Sequence, residues 1–328
     1  MARRADLIRD WRDRWSGVDR TVVRGIADDL LHGRPVATAP FEPVGGRTDL
    51  RGFPLTRMAT GGSSGPRRGQ IGADDHATAA ATPPPRWSGL DLTGADLSEF
   101  GWFDLTVEHC VLDDAELQGL RCWGVTIVDT SLRAANLHHG QLGAPAEFWP
   151  RRSTWTRVDL TRADLRGTTA EVTFTAVDFA NARFTGTNFN WSDLVDCTFA
   201  GVVRGLHLGR RPVCDQPETW QLTGVDLRAA RPRGLELTGV NLGTSAVDLR
   251  LPDDEAHWTI PDWPAYLERV RSRIRPLPEG DVRMVATIWE EYARKDSGPT
   301  QRTGFIATWD TDDLGGPALT DLLRAARA

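Results

Sequence analysis

An apolar residue recurs at every fifth position between Leu92 and Leu142, without a slip. A second small or apolar residue stands two positions before each of these central residues. An α-helix has a period of 3.6 residues and a β-strand a period of 2, so neither satisfies the pattern. A coil with four sides and one pentapeptide on each side does satisfy it, because two of every five side chains then point inward. The central residues are Leu92, Leu97, Trp102, Val107, Leu112, Leu117, Cys122, Ile127, Leu132, Leu137 and Leu142.

A longer period of twenty residues supports four sides per turn, because it stacks like residues on one another. It is seen in Ala95-Asp96-Leu97, Ala115-Glu116-Leu117 and Ala135-Asn136-Leu137. In these segments the chain resembles the pentapeptide repeat family, and the resemblance covers about residues 47–250. It implies an all-β solenoid, a right-handed quadrilateral β-helix of about seven coils and roughly 35 Å in length. It also implies that Asp or Asn just before a central residue accepts backbone N–H bonds in the turn. Further matches are Arg162-Ala163-Asp164-Leu165-Arg166 and Val225-Asp226-Leu227-Arg228-Ala229.

Interruptions of the period predict the domain organisation. Residues 1–46 form a helical N-terminal cap over the open end of the coil, and 251–328 form an α-rich C-terminal region with three helices and a strand near 303–309. Within the β-helix of 47–250, residues 57–86 are rich in Gly, Pro, Ala, Ser and Thr and predict a disordered insertion. Loops are expected at 143–154 and 209–219. If Trp155 holds a central position, both loops leave the same side of the coil, three turns apart.

Sequence motifs of catalysis and cofactor binding are missing. There is no GxSxG, P-loop, GxGxxG after a strand or HExxH, and the four cysteines form no CxxC pair. We therefore predict no catalytic residue, metal or cofactor, and a non-enzymatic protein is favoured. His109 and Asp129 occupy one outward position in successive coils, as a base and its orienting carboxylate would, but such pairs also arise by chance in a stacked coil.

Negative charge is concentrated in the first half of the coil. Residues 88–142 carry nine carboxylates and two arginines, although the whole chain has a net charge of only -6. One interpretation is solubility. The other is DNA mimicry, since the family resemblance includes members that occupy the DNA groove of topoisomerases. The second half of the coil is rich in arginine, unlike those members. The acidic residues predicted to form a binding face are Glu99, Asp104, Glu108, Asp113, Asp114 and Asp129.

Aromatic residues suggest a second binding surface. The chain has thirteen tryptophans and two tyrosines. Phe103 and Trp123 share an outward position one coil apart and predict an apolar docking stripe. The insertion after Leu142 leaves from that side and contains Phe148 and Trp149, so folding of the insertion over the stripe is the alternative.

Three hypotheses of function follow. The first is a rigid scaffold that binds a macromolecule, namely a protein. The second is a DNA mimic that binds DNA gyrase or a related topoisomerase and protects or inhibits it, as in self-resistance. The third is an enzyme or small-molecule site in the insertions and the C-terminal region. Acidity argues against direct nucleic-acid binding, and no apolar run is long enough for a membrane helix. With no secretory signal visible, a cytoplasmic location is expected. The C-terminal region is expected either to form a homodimer or to be a small accessory domain.

Overall fold

Nineteen short strands wind into a coil in the part of the chain that the computed structural model describes: residues 2–36, 39–56, 70–71, 84–209, 221–242, 244, 247–297 and 301–327. The strands of the coil are β1 (Thr48–Asp49), β2 (Gln70–Ile71), β3 (Arg86–Ser88), β4 (Leu90–Asp91), β5 (Gly101–Phe103), β6 (Thr106–Glu108), β7 (Arg121–Trp123), β8 (Thr126–Ser131), β9 (Gln141–Leu142), β10 (Ser153–Asp159), β11 (Thr169–Ala170), β12 (Val172–Thr175), β13 (Thr187–Asn188), β14 (Asp193–Val195), β15 (Thr198–Arg204), β16 (Leu206–Gly209), β17 (Leu222–Arg233), β18 (Glu236–Thr238) and β19 (Val247–Arg250).

Two parallel sheets form adjacent sides of the coil. The first runs in the order β3-β6-β8-β10-β12-β14-β17-β15, with β19 also paired to β17. The second, called sheet II below, runs in the order β2-β5-β7-β9-β11-β13-β16-β18. Single parallel bridges join successive turns on the remaining sides, for example Asp91 to Val111 and Asp96 to Glu116. The structure therefore has the quadrilateral β-helix that the period of five predicts.

Central residues fill the interior of the coil. Trp102, Cys122 and Leu142 stack in register on sheet II and are each fully buried. In the second half, phenylalanines occupy the same kind of position, and the rings of Phe179 and Phe199 stack at 4.7 Å. Burial of these side chains is the main stabilising contribution to a fold whose strands are only two to twelve residues long.

The corners of the coil lie two positions after each central residue and have a left-handed backbone. Gly94, Gly119 and Gly124 stand at such corners with φ of 66°, 67° and 69°. Asp104 and Asp129 stand at equivalent corners with φ of 53° and 48°. Glycine adopts this conformation freely, and Asp and Asn tolerate it better than most residues do. The repeat therefore constrains which residues can stand at its corners.

The Asp and Asn residues before the central positions stabilise the turns, as the family resemblance implies. Asp91 Oδ1 accepts the backbone N–H of Thr93 at 3.1 Å, and Asn136 Oδ1 accepts that of His138 at 3.2 Å. Glu116 differs from this pattern, because its Oε2 accepts a hydrogen bond from the side chain of Asn136 at 2.9 Å instead. Its longer side chain reaches the neighbouring coil.

The N-terminal segment forms helices α1 (Ala2–Asp13) and α2 (Arg20–Leu31), joined by a 3₁₀ turn. Val23, Ile26 and Leu30 of α2 are buried in the same hydrophobic cluster as the interior of the coil. Trp87, in β3, donates a hydrogen bond from its indole Nε1 to the carbonyl oxygen of Leu30 at 3.0 Å. The helical cap therefore covers the first turns of the coil.

The C-terminal segment has a hydrophobic core of its own. Strands β20 (His257–Ile260) and β21 (Gly304–Ala307) pair antiparallel and pack with helices α3 (Trp263–Ile274), α4 (Asp281–Ser297) and α5 (Thr308–Ala325), which is kinked at Gly316. The three helices and the strand near 303–309 that the sequence predicts are all present. Hydrogen bonds fasten this unit to the last turn of the coil, among them one from the backbone N–H of Gly234 to Asp310 at 2.7 Å.

The two loops of the coil leave from sheet II. Residues 143–152 follow β9, and the chain after Gly209 follows β16, with β11 and β13 between them. This confirms the predicted departure from one side, three turns apart. Residues 210–219 of the second loop lie outside the described residues, as does most of the predicted disordered insertion at 57–86. Of that insertion, Gln70–Ile71 pairs with β5 and Arg86 begins β3, so these parts belong to the coil.

Candidate binding surfaces

The acidic residue Asp104 is a buried anchor. It is 5% exposed, and its carboxylate accepts a hydrogen bond from the Trp149 indole Nε1 at 3.1 Å. Arg151 lies 2.8 Å from the same carboxylate. Both partners come from the insertion at 143–152, so Asp104 holds this insertion against the coil.

Three further acidic residues are paired with arginines from other elements. Arg86 lies 2.5 Å from Glu108, and the hydrogen bond lowers the pKa of that carboxyl below its usual value. Arg157 donates two hydrogen bonds to Asp129, at 2.5 and 2.8 Å, and likewise lowers the pKa of Asp129. In the third pair, Arg4 of α1 lies 2.6 Å from Asp114.

The remaining two acidic residues, Asp113 and Glu99, differ in how far their carboxylates are buried. Burial raises the pKa of Asp113, although its Oδ1 accepts hydrogen bonds from the Ser131 hydroxyl and from the backbone N–H of Arg133. Glu99 is exposed at a corner, with its carboxylate over Gly119 of the next coil. Of the six residues, at least four thus carry an arginine partner. The high density of carboxylates in the sequence therefore overstates the negative charge that the surface presents.

The predicted aromatic stripe is covered. Phe103 is 5% exposed and contacts Trp123 edge to face, with ring centroids 5.4 Å apart. Trp149 of the insertion packs on both, at 5.3 and 6.0 Å. The Trp149 indole, held by its hydrogen bond to Asp104, covers both rings. Phe103 therefore does not form an exposed docking stripe. The structure shows the alternative that the sequence also allowed, in which the insertion folds over Phe103 and Trp123.

An exposed apolar surface lies instead on the C-terminal unit. Met284, Ile288 and Tyr292 occupy one face of α4 at intervals of four residues and are 55%, 46% and 61% exposed. Leu314 of α5 is 63% exposed, and its neighbour Gly315 lies against Val285 of α4. We call Met284, Ile288, Tyr292 and Leu314 the C-terminal apolar face. The sequence predicted α4 from the apolar positions that include Ile288 and Tyr292, but a helical period does not show which part of a wide apolar stripe faces solvent.

Candidate catalytic and metal-binding groups do not converge in the described part of the chain. His109 Nδ1 lies 3.9 Å from Asp129, as the stacking predicts, but Arg157 binds that carboxylate more closely. Burial raises the pKa of Cys110 to about 11 and of Cys197 to about 12. No group of three or more His, Cys, Asp or Glu side chains there could hold a metal ion. Likewise, none of the helices described is both long enough and apolar enough to cross a membrane.

Comparison with known proteins identifies pentapeptide repeats in part of the coil. The family model for pentapeptide repeats, in 8 copies, matches residues 170–201. No curated protein sequence matches the chain. Among solved structures, a trypsin-treated form of QnrB1, a plasmid-mediated fluoroquinolone resistance protein, is 15% identical, covers 46% of this chain and 72% of its own, and has a TM-score of 0.31.

Two other solved structures are similar at the same low level. HetL, a pentapeptide repeat protein involved in heterocyst differentiation regulation from the cyanobacterium Nostoc sp. strain PCC 7120, is 18% identical over 55% of this chain and 81% of its own, with a TM-score of 0.20. A pentapeptide repeat protein from the Arabidopsis thaliana thylakoid lumen is 23% identical over 37% and 72%, with a TM-score of 0.19. These likenesses carry no argument about function. The period of five, the four-sided coil and the matched family model lead to one conclusion: the chain contains pentapeptide repeats wound into a quadrilateral β-helix, and it resembles the pentapeptide repeat family.

Proposed function

We propose that this protein is a rigid, non-enzymatic scaffold that binds a protein partner through the C-terminal apolar face. The observation that carries the proposal is the exposure of Met284, Ile288, Tyr292 and Leu314 on adjoining helices. Clustered apolar side chains of this size, left in water, mark interaction sites more often than scattered ones do. The partner is another protein or a second copy of the chain, bound as a homodimer through the C-terminal region.

Rigidity of the coil supports a scaffold role. Each turn hydrogen-bonds the next through parallel ladders, helices cover the first turns, and the C-terminal unit is hydrogen-bonded to the last. A partner bound at the C-terminal apolar face is therefore held at a fixed position relative to the side surfaces of the coil.

DNA mimicry toward DNA gyrase or a related topoisomerase ranks second. It requires a continuous surface of carboxylates that attracts a basic groove. Asp104, Glu108, Asp114 and Asp129 each have an arginine partner, which weakens the field available for such attraction. The finding that would reverse the ranking is inhibition of gyrase supercoiling that fades with added salt and is lost on replacing both Asp113 and Asp114 with Asn.

The proposal is tested with the double variant Met284→Glu, Ile288→Glu. Both side chains are about half exposed, so the helix tolerates the change. Sedimentation velocity and cross-linking followed by mass spectrometry compare it with the wild type. The matched control is Leu7→Glu, which places the same charge at an apolar residue that is 49% exposed on α1.

We expect the wild type to form a complex, either a homodimer or a complex with another protein. Leu7→Glu should form the same complex, and the double variant should not. A complex unaffected by the double variant, or a wild type that forms none, would contradict the proposal.

A further inference from the structure

A groove of about 490 Å³ lies on sheet II beside the insertion at 143–152. One wall is the insertion itself, with Pro145 and Phe148, and Trp191 also lines the space. The floor is formed by the outward side chains of three successive strands, Gln141 of β9, Thr169 of β11 and Asn188 of β13. We call this space the insertion groove. It is separate from the C-terminal apolar face, and the function proposed above does not use it.

The wall formed by the insertion is fastened at two places. At one, Trp149 and Arg151 bind Asp104, as described above. At the other, Arg152 donates hydrogen bonds to the Thr173 hydroxyl at 3.0 Å and to the carbonyl oxygen of Trp191 at 2.6 Å, and it lies 3.2 Å from Asp193. The same arginine thus links the insertion to the residue on the other side of the groove. A groove held open in this way is preformed for a ligand, as most small-molecule sites are.

Neutral polar groups line the floor at the spacing of the strands, about 4.8 Å. Within the described part of the chain, the Gln141 amide and the Thr169 hydroxyl have no hydrogen-bond partner. Asn188 Oδ1 accepts the backbone N–H of Asn190 at 2.9 Å, which leaves its amide nitrogen as a donor. The floor thereby offers both donors and acceptors in a row.

The walls offer flat apolar surfaces. Phe148 is 63% exposed, and Trp191 is half-buried beside the floor. Among the described residues that line the groove, the one charged side chain is that of Glu171, and there is no arginine, lysine or histidine. The nearby Arg152 is already bound to three acceptors. A phosphorylated or carboxylated ligand would find no counter-charge here and would be repelled by Glu171, so the lining favours a ligand without negative charge.

We propose that the insertion groove binds a neutral carbohydrate. The face of a sugar ring carries C–H groups that pack on an aromatic ring, and its edge carries hydroxyls that both donate and accept hydrogen bonds. Phe148 and Trp191 match the face, while Gln141, Thr169 and Asn188 match the edge.

The test uses saturation-transfer NMR and tryptophan fluorescence on the full-length protein, with cellobiose, maltotriose and N,N′-diacetylchitobiose as probes and adenosine as the reference. The variants are Phe148→Ala and Gln141→Ala, both at exposed side chains whose loss leaves the coil intact. Trp309→Ala, at a tryptophan 41% exposed on α5, is the matched control.

At least one saccharide is expected to bind, and each groove variant to weaken it about tenfold or more, while Trp309→Ala leaves it unchanged. Two results would overturn the assignment: no binding of any of the three saccharides, or binding of adenosine alone, which would indicate a site for a planar base. If Phe148→Ala loses saccharide binding but still forms the protein complex proposed at the C-terminal apolar face, the two sites are independent.

Discussion

Trp149 donates a hydrogen bond from its indole Nε1 to Oδ1 of Asp104 across 3.1 Å. The two residues are 45 positions apart, one in the insertion and the other at a left-handed corner of the coil. Their contact connects the acidic and aromatic features of the sequence, since a residue of the predicted acidic face holds the ring that covers the predicted aromatic stripe. The insertion groove depends on this contact, because the same insertion forms its wall.

Replacing Trp149 with Ala should therefore detach the insertion. Phe103 and Trp123 lose their covering ring, and we expect the free energy of unfolding to fall by about 3 kcal/mol. Urea denaturation measures the loss, and binding of a dye that reports exposed apolar surface should increase. Trp149→Phe keeps an aromatic ring but loses the hydrogen bond and part of the contact area of the indole, so it should cost less than Trp149→Ala, about 1–2 kcal/mol. Equal stability of Trp149→Ala and the wild type would show that the insertion does not pack on the coil in solution.

The corner glycines give a prediction with a matched pair. Gly89 and Gly124 have φ of 62° and 69°, so alanine at either position carries the left-handed strain of about 1–2 kcal/mol. At Gly89 an added Cβ meets open space. At Gly124 it would lie 2.3 Å from Asp104 Oδ1 and 2.5 Å from Trp149 Nε1.

We expect Gly124→Ala to cost at least about 1 kcal/mol more than Gly89→Ala, the contribution of the displaced hydrogen bond. Thermal and urea denaturation of the two variants provide the comparison. Equal losses would mean that the corner strain alone accounts for both.

Acid should loosen the N-terminal cap through Asp49. Its side chain is 3% exposed. Burial alone would raise the pKa of Asp49, but hydrogen bonds from Arg14 and Arg51 outweigh burial and hold that pKa well below its usual value. A carboxyl whose pKa is lower in the folded state stabilises the fold above the unfolded pKa of 3.8, and this contribution is lost as the pH falls.

Asp49→Asn should accordingly cost about 2 kcal/mol at neutral pH, and its difference from the wild type should shrink between about pH 5 and pH 2. Denaturation monitored by circular dichroism at several pH values measures this. Asp248→Asn is the control, because Asp248 and Arg250 form an ion pair that is half exposed and worth little. A constant difference across the pH range would argue against the ion pair as its source.

The sequence predicted the coil because a period of five with two inward side chains per repeat has one packing solution. Central residues such as Leu92, Leu142 and Trp155 identified the sides, and counting repeats identified where the two loops leave. The pairs Arg4–Asp114 and Arg157–Asp129 were not predictable in the same way. They join residues 110 and 28 positions apart, and the reach of an arginine side chain depends on where separate elements come to rest.

A recurring glycine in the sequence indicates the corners of the coil. Gly94, Gly119 and Gly124 stand at the same position of the repeat as Glu99, Asp104 and Asp129. Glycine recurring at one position indicates a left-handed corner, and Asp at that position indicates tolerance of the corner rather than a binding surface. Part of the acidic composition therefore follows from backbone conformation, which lowers the support for DNA mimicry.

The buried thiols should be unreactive in the folded protein. Burial raises the pKa of Cys110 to about 11 and of Cys197 to about 12, and it raises the pKa of Cys122 as well. Thiolate is the reactive form, so at pH 8 these three cysteines should remain unlabelled by iodoacetamide until the protein unfolds. Peptide mapping by mass spectrometry, with and without urea, identifies the labelled residues. Rapid labelling of Cys122 in the native protein would mean that the coil opens at the insertion, because Cys122 pairs with Leu142, the last residue before the insertion. The groove would then be a transient feature rather than a preformed one.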